Sequence, residues 1–228
     1  MTLHIFDDLI QGEDDWLAAR RGMVTASAVS KLLTPTGRAA SNDYSRALTL
    51  ELAAERITGE SEFVFVNDDM QRGNDVEPLA RDLYAHHFGR PVTQVGFMVE
   101  DRWGFRIGYS PDGLVAHDGL IEVKGPRAKK HLKTVVEDQV PAEYMPQIQC
   151  GLLVSGRQWC DFISYFGGMR MYPIRVHADP KWADAIVLAV TEFERAVTEI
   201  TNTYNARTEG LPATDPLPDY NTVELKLA

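Results

Sequence analysis

Between Pro91 and Gly125 the hydropathy period of the chain changes, and that change constrains the fold more than any other feature. Four short apolar segments, "PVTQVGFMVE", "WGFRIGYS", "GLVAH" and "LIEVKG", follow one another with turn residues between them, as strands do. "HDGL" carries the Asp-Gly pair of a tight hairpin. Helical patterns lie on both sides. "EDDWLAARRG" reads as a short helix with acidic residues in its first turn, Arg20 and Arg21 in its last and Gly22 as its stop. "TASAVSKLL" restarts helix, with Thr25 or Ser27 at the N-cap. Longer helices are expected over about 44–57, ended by Gly59, and over about 76–88, with Pro78 in the first turn. Helices over about 128–136 and 142–154, the strands "QWCDFISYF" and "MRMYPIRVH", and a helix over about 181–204 complete the core. This order predicts an α/β fold, a mixed β-sheet flanked by helices, and not a βαβ repeat array.

The 228 residues suit one large domain, taken as 1–206, with an extended Pro-rich tail over 207–228. No apolar run approaches membrane-spanning length, and "MTLHIFDDLIQGEDDW" has neither a basic n-region nor a cleavage pattern, so the expectation is a cytoplasmic protein. Cys150 and Cys160 make neither a disulfide framework nor an iron–sulfur site and are expected as buried thiols. The net charge of −10 argues against a nucleic-acid partner, yet only the local field at a binding face matters. Arg20 and Arg21 are clustered, as are Lys124, Arg127, Lys129, Lys130, His131 and Lys133.

The last of these clusters follows "SPDGLVAHDGLIEVKG", where two carboxylates and an ammonium sit in an apolar frame. Strand alternation points Glu122 and Lys124 one way while Ile121 and Val123 turn into packing. The hairpin brings Asp112 near Glu122. Two carboxylates that close repel unless a cation sits between them, and Mg²⁺ or Mn²⁺ is the natural one. With Lys124 beside a metal-bound water, the set suits phosphodiester hydrolysis. The bland alternative is a salt-bridged hairpin on a solvated face. A glycosidase could use the paired carboxylates but has no use for the lysine.

"SPDG…LIEVKGP" resembles motifs II and III of the PD-(D/E)xK nucleases, with a restriction-endonuclease-like core. Within that superfamily the chain is most similar to the lambda exonuclease (YqaJ-like) family of phage recombination nucleases. "WLAARRGMVTAS", "RGNDVEPLARDLY" and "YMPQIQCGLLVSG" resemble further family motifs in the same order, over about 14–176. The resemblance implies that Asp112, Glu122 and the carbonyl of Val123 ligate the metal. Glu77 supports it, directly or through water. Lys124 positions and activates the attacking water, and Gln147 orients the lysine or the water. Arg20, Thr25, Ser27 and Ser110 match a pocket for a 5′-terminal phosphate. Tyr144 and Arg38 are further candidate DNA contacts, Arg38 in a loop that departs from the family pattern.

The family likeness further implies a processive 5′→3′ exonuclease on double-stranded DNA that releases 5′-mononucleotides and leaves 3′ overhangs. It also implies a ring-shaped homotrimer, a single-strand annealing partner and a phage or prophage origin. The competing expectations are a sequence-specific or structure-specific endonuclease of the same fold, and a non-catalytic DNA-end-binding module.

Overall fold

In the computed structural model, residues 2–34, 37–61 and 67–216 are described. A strand β1 (Leu3–Phe6) and a helix α1 (Asp14–Arg20) lead through a short strand β2 (Val24–Thr25) into helices α2 (Asp43–Thr58) and α3 (Asp68–Phe88). Strands β3 (Val92–Thr93), β4 (Phe97–Glu100), β5 (Ile107–Tyr109), β6 (Gly113–Val115) and β7 (Gly119–Lys124) follow. Helices α4 (Ala128–Glu137) and α5 (Met145–Ser155) then lead to strands β8 (Trp159–Ser164) and β9 (Tyr172–His177), and α6 (Pro180–Thr208) closes the core.

Among the described residues the strands form two sheets, ordered β1-β4-β5-β2 and β3-β6-β7-β8-β9. Both are mixed, because β2 runs parallel to β5 and β7 parallel to β8 while the other pairs are antiparallel. The chain passes from the first sheet to the second at Ser110–Asp112, between β5 and β6. Leu114, Leu120, Cys160 and Phe162 face the main core with Ile148 and Leu152 of α5 and Val190 and Phe193 of α6. Ile121, Val123, Trp159 and Ile163 face Ala80 and Tyr84 of α3. This is the restriction-endonuclease-like arrangement expected, divided between two sheets. Both cysteines are buried, as expected.

Several local expectations are corrected. "TASAVSKLL" does not restart a helix at Thr25 or Ser27. Thr25 lies in β2 opposite Gly108, and only a single 3-10 turn, Val29–Leu32, follows, with no side-chain cap. Helix α3 starts at Asp68, because Asn67 caps it by accepting from the Met70 N–H at 2.9 Å. Pro78 is therefore inside the helix, where it forgoes one backbone hydrogen bond.

"PVTQVGFMVE" is two strands in different sheets, broken at Gly96, where a Cβ would lie 1.9 Å from the Leu9 carbonyl oxygen. The hairpin turn is 116–118, not Asp-Gly, and Gly119 already pairs with Val115. Ala116 takes the left-handed conformation at φ 49°, and Gly119 serves packing, since a Cβ there would meet the Trp159 ring at 2.1 Å. His131, counted with the basic cluster above, does not share its surface; its ring is buried between Ser164 Oγ and the Arg170 carbonyl. Helix α6 continues to Thr208, into the segment taken as the tail, and 217–228 of that tail lie outside the described residues.

Candidate active site

The register of β6 against β7, with Gly113 opposite Ile121, sets Asp112 one step beyond the strand and across from Glu122. Asp112 Oδ2 accepts the Val123 N–H at 2.6 Å. Glu122 is 1% exposed. Its Oε1 accepts from Lys124 Nζ at 2.6 Å and from Gln147 Nε2 of α5 at 2.5 Å. Among the described residues its Oε2 is buried without a hydrogen-bond partner. An orphaned carboxylate oxygen is costly to bury, so the strand holds it there against its solvation.

Glu77 sits on α3, on the turn before Arg81, which pairs with it. Arg81 Nε also donates to the Asp112 carbonyl at 2.7 Å, so one guanidinium ties the helix acid to the hairpin acid. Burial, then the charges of Glu122 and Glu77, hold Asp112 well above the ordinary carboxylate range. Burial raises Glu77 as well, against the pull of Arg81 and with a further push from Glu122. Burial opposes the charge of Lys124, yet Glu122 and Asp112 outweigh it and keep the ammonium above its usual value. Tyr144 stacks on Phe162 at 5.6 Å and accepts from Lys130 Nζ at 2.6 Å, with Lys124 Nζ 5.6 Å from its ring.

A second cluster forms where β2 meets β5. The Arg20 guanidinium stacks on the Trp16 ring at 3.8 Å and reaches Ser110 Oγ and Thr25 Oγ1 only at 3.5 Å each. Trp16 Nε1 donates to Ser110 Oγ at 2.9 Å, and Thr25 Oγ1 lies 3.2 Å from Ser27 Oγ. Burial lowers the Arg20 pKa to about 10, against the field of Glu55. A part-buried guanidinium with only long hydroxyl contacts suits a bound anion. The helix N-terminus expected here is missing, so the donors are the guanidinium and the hydroxyls. Arg38 lies exposed in its loop, away from described partners for its side chain, and is not brought to either cluster.

Sequence reasoning missed Arg81, Arg56 and the part played by Trp16. The spacing of Glu77 and Arg81, four apart on one helix, was the available signal for the first. Nothing in the sequence distinguished Arg56.

The donor set fits a hard divalent cation: oxygens only, an orphaned carboxylate oxygen, and two acids whose ionisation is opposed by burial and by the neighbouring carboxylate charges. Among the described residues no group of three or more His, Cys, Asp or Glu side chains converges as a ready metal cluster. That is compatible with two carboxylates, one backbone carbonyl and retained waters, which is how Mg²⁺ is commonly held.

Fold and site together define a nuclease of the PD-(D/E)xK class. The model of the YqaJ-like viral recombinase domain matches residues 15–158, and the chain belongs to that family. It is similar in structure to an alkaline exonuclease (LHK-Exo) from Laribacter hongkongensis, with 32% identity over 88% of this chain and 100% of that one and a TM-score of 0.79. The same enzyme in complex with dAMP gives the same values. A phage-related exonuclease from Haemophilus somnus 129PT shares the fold at 16% identity, over 80% of this chain and 96% of that one, with a TM-score of 0.65. No curated protein matches the chain.

Proposed function

We propose that the chain is a Mg²⁺-dependent 5′→3′ exonuclease on double-stranded DNA, with Mn²⁺ as a substitute ion, starting at phosphorylated 5′ ends. One observation carries this reading: the anion cluster and the carboxylate–lysine centre share one stretch of chain, with Ser110 in the first and Asp112 in the second. An end held by Arg20, Thr25, Ser27 and Ser110 presents its adjoining phosphodiester to Asp112, Glu122 and Lys124. Family membership and the likeness to an alkaline exonuclease support the reading, and its dAMP complex agrees with release of 5′-mononucleotides.

Asp112, Glu122 and the Val123 carbonyl would hold the ion, with Glu77 supporting it directly or through water. When bound, the ion supplies Lewis-acid polarisation of the phosphate and a more acidic water. Gln147 fixes Glu122 from one side while Lys124 fixes it from the other. Lys124 carries a raised pKa, so it acts first as a charged donor that orients the attacking water and meets negative charge on the phosphorus oxygens. Tyr144 and Lys130 border that centre and offer donors to the DNA backbone. Arg38 is a more distant contact on the same reading.

The reading extends to a processive ring of three copies threaded by DNA, its basic clusters turned to the bore, and to a single-strand annealing partner that takes up the 3′ overhang. Digestion of end-labelled linear duplex with Mg²⁺ tests it, with 5′-phosphate and 5′-hydroxyl ends compared and a closed circular plasmid alongside. Faster loss of the phosphorylated 5′ end, mononucleotide products and an intact plasmid are expected. Cutting of the plasmid would replace this reading with an endonuclease, and no cleavage with retained end binding would replace it with a binding module.

A further inference from the structure

The turn joining Arg20 to Thr25 is held by two side chains of α2, Glu55 and Arg56. Gly22 takes a left-handed φ of 65°. Both its backbone groups are engaged by neighbouring residues of α2: its N–H donates to Glu55 Oε2 at 2.6 Å, and its carbonyl accepts from Arg56 Nε at 2.6 Å. Arg56 then sends Nη1 and Nη2 to Glu194 Oε2 and Oε1 on α6, each at 2.7 Å. A Cβ on Gly22 would lie 2.5 Å from Arg56 Cγ, so the arginine stem lies directly against the turn. All three guanidinium nitrogens are committed, one to the turn and two to a helix of the main core.

An exposed ion pair contributes little to stability, but a bidentate fork fixes geometry. The geometry matters because Arg20, two residues before Gly22, is located by its stack on Trp16, a longer approach to the Phe97 ring at 5.8 Å and two long hydroxyl contacts, with no short hydrogen bond among the described residues. Its height above Ser110 therefore depends on the backbone turn that follows it.

We propose that Arg56, braced by Glu194, is a positioning residue for recognition of the DNA end: it fixes the Gly22 turn and thereby aims Arg20 and Thr25 at the 5′-terminal phosphate. This rests on reading the Arg20 cluster as the phosphate pocket. Lysine cannot substitute, since one ammonium cannot hold the Gly22 carbonyl and both carboxylate oxygens together.

The test is metal-free binding of the full chain to a labelled duplex, read by fluorescence anisotropy, with 5′-phosphate and 5′-hydroxyl ends compared. Arg56→Lys and Glu194→Gln are the variants, conservative enough to keep the fold, which circular dichroism verifies. The ratio of the two affinities is expected to fall roughly tenfold in each, as for loss of one well-aimed charged hydrogen bond. The double variant should lose no more than the worse single one, because both break one chain of contacts. An unchanged ratio, or equal weakening on both ends, overturns the proposal. Arg20→Ala is the separate check. If it leaves the preference intact, the phosphate pocket itself is wrong and this inference falls with it; if it removes the preference while the other two keep it, only the brace is wrong.

Discussion

Asp112→Asn should make the metal-free protein more stable while removing its activity. Asp112 lies one residue beyond the Gly113–Ile121 pair of an antiparallel ladder, which sets it opposite Glu122, and opposed Cβ atoms in such a ladder are about 5 Å apart. Two unit charges at that separation repel by roughly 3 kcal/mol at an effective dielectric constant near 20. Lys124 offsets part of this, leaving a net cost of about 2 kcal/mol that the asparagine avoids. Its carbonyl can keep the Val123 N–H bond, and its amide can donate to the orphaned Glu122 Oε2. For a chain of this size the gain corresponds to a Tm rise of roughly 4–8 °C.

The pH dependence follows from the raised pKa of Asp112 in the folded state. A raised carboxyl contributes stability fully below its unfolded value, near pH 4, and loses it as pH climbs through the higher folded value. The variant's advantage over wild type should therefore be present at pH 7.5 and shrink towards pH 4. Thermal denaturation in EDTA across that range measures it. Addition of Mg²⁺ should raise the wild-type Tm and not that of the variant. A variant no more stable than wild type at pH 7.5, or a gain independent of pH, refutes the electrostatic account of the site.

Other expectations follow from the same geometry. Lys124→Met should lower duplex digestion by about 10²–10³-fold, the range for loss of one charged donor to the developing negative charge, while metal-free binding to phosphorylated ends persists. Arg81→Met frees Glu77 and the Asp112 backbone and should weaken Mg²⁺ affinity by about 10–100-fold, read by calorimetry. Gly119→Ala drives a methyl into the Trp159 ring and should cost about 1–3 kcal/mol in urea unfolding with cleavage retained, which a turn-only role for this glycine would not predict.

The element order and the carboxylate–lysine hairpin were legible because strand alternation and short-range spacing record them directly. Asp112, Glu122, Lys124 and Gln147 come together as expected, since one hairpin and one following helix hold them. What escaped was non-local. The segment after Arg20 has helix-capping residues, yet pairing of Thr25 with Gly108 of a distant strand overrides that propensity. Gly119 looked like a turn glycine because a sequence does not show the Trp159 ring that needs the space. Strand β1, four residues with mostly exposed side chains, lacks the buried run that marks strands such as β4, β7 and β8. Arg56 reads as one more helix-surface charge until α6 folds against it.

The crossing at Ser110–Asp112, described above as a passage between two sheets, also acts as a ruler. Two residues of chain reach at most about 7 Å, with Pro111 stiffening the middle. That is the scale separating neighbouring phosphates along one strand. On the proposed function, an end gripped at Ser110 would offer its first linkage for cutting, not its second or third. On that proposal the length of each bite would be written in covalent bonds, and an extra residue spliced after Ser110 should shift the products from mononucleotides towards dinucleotides.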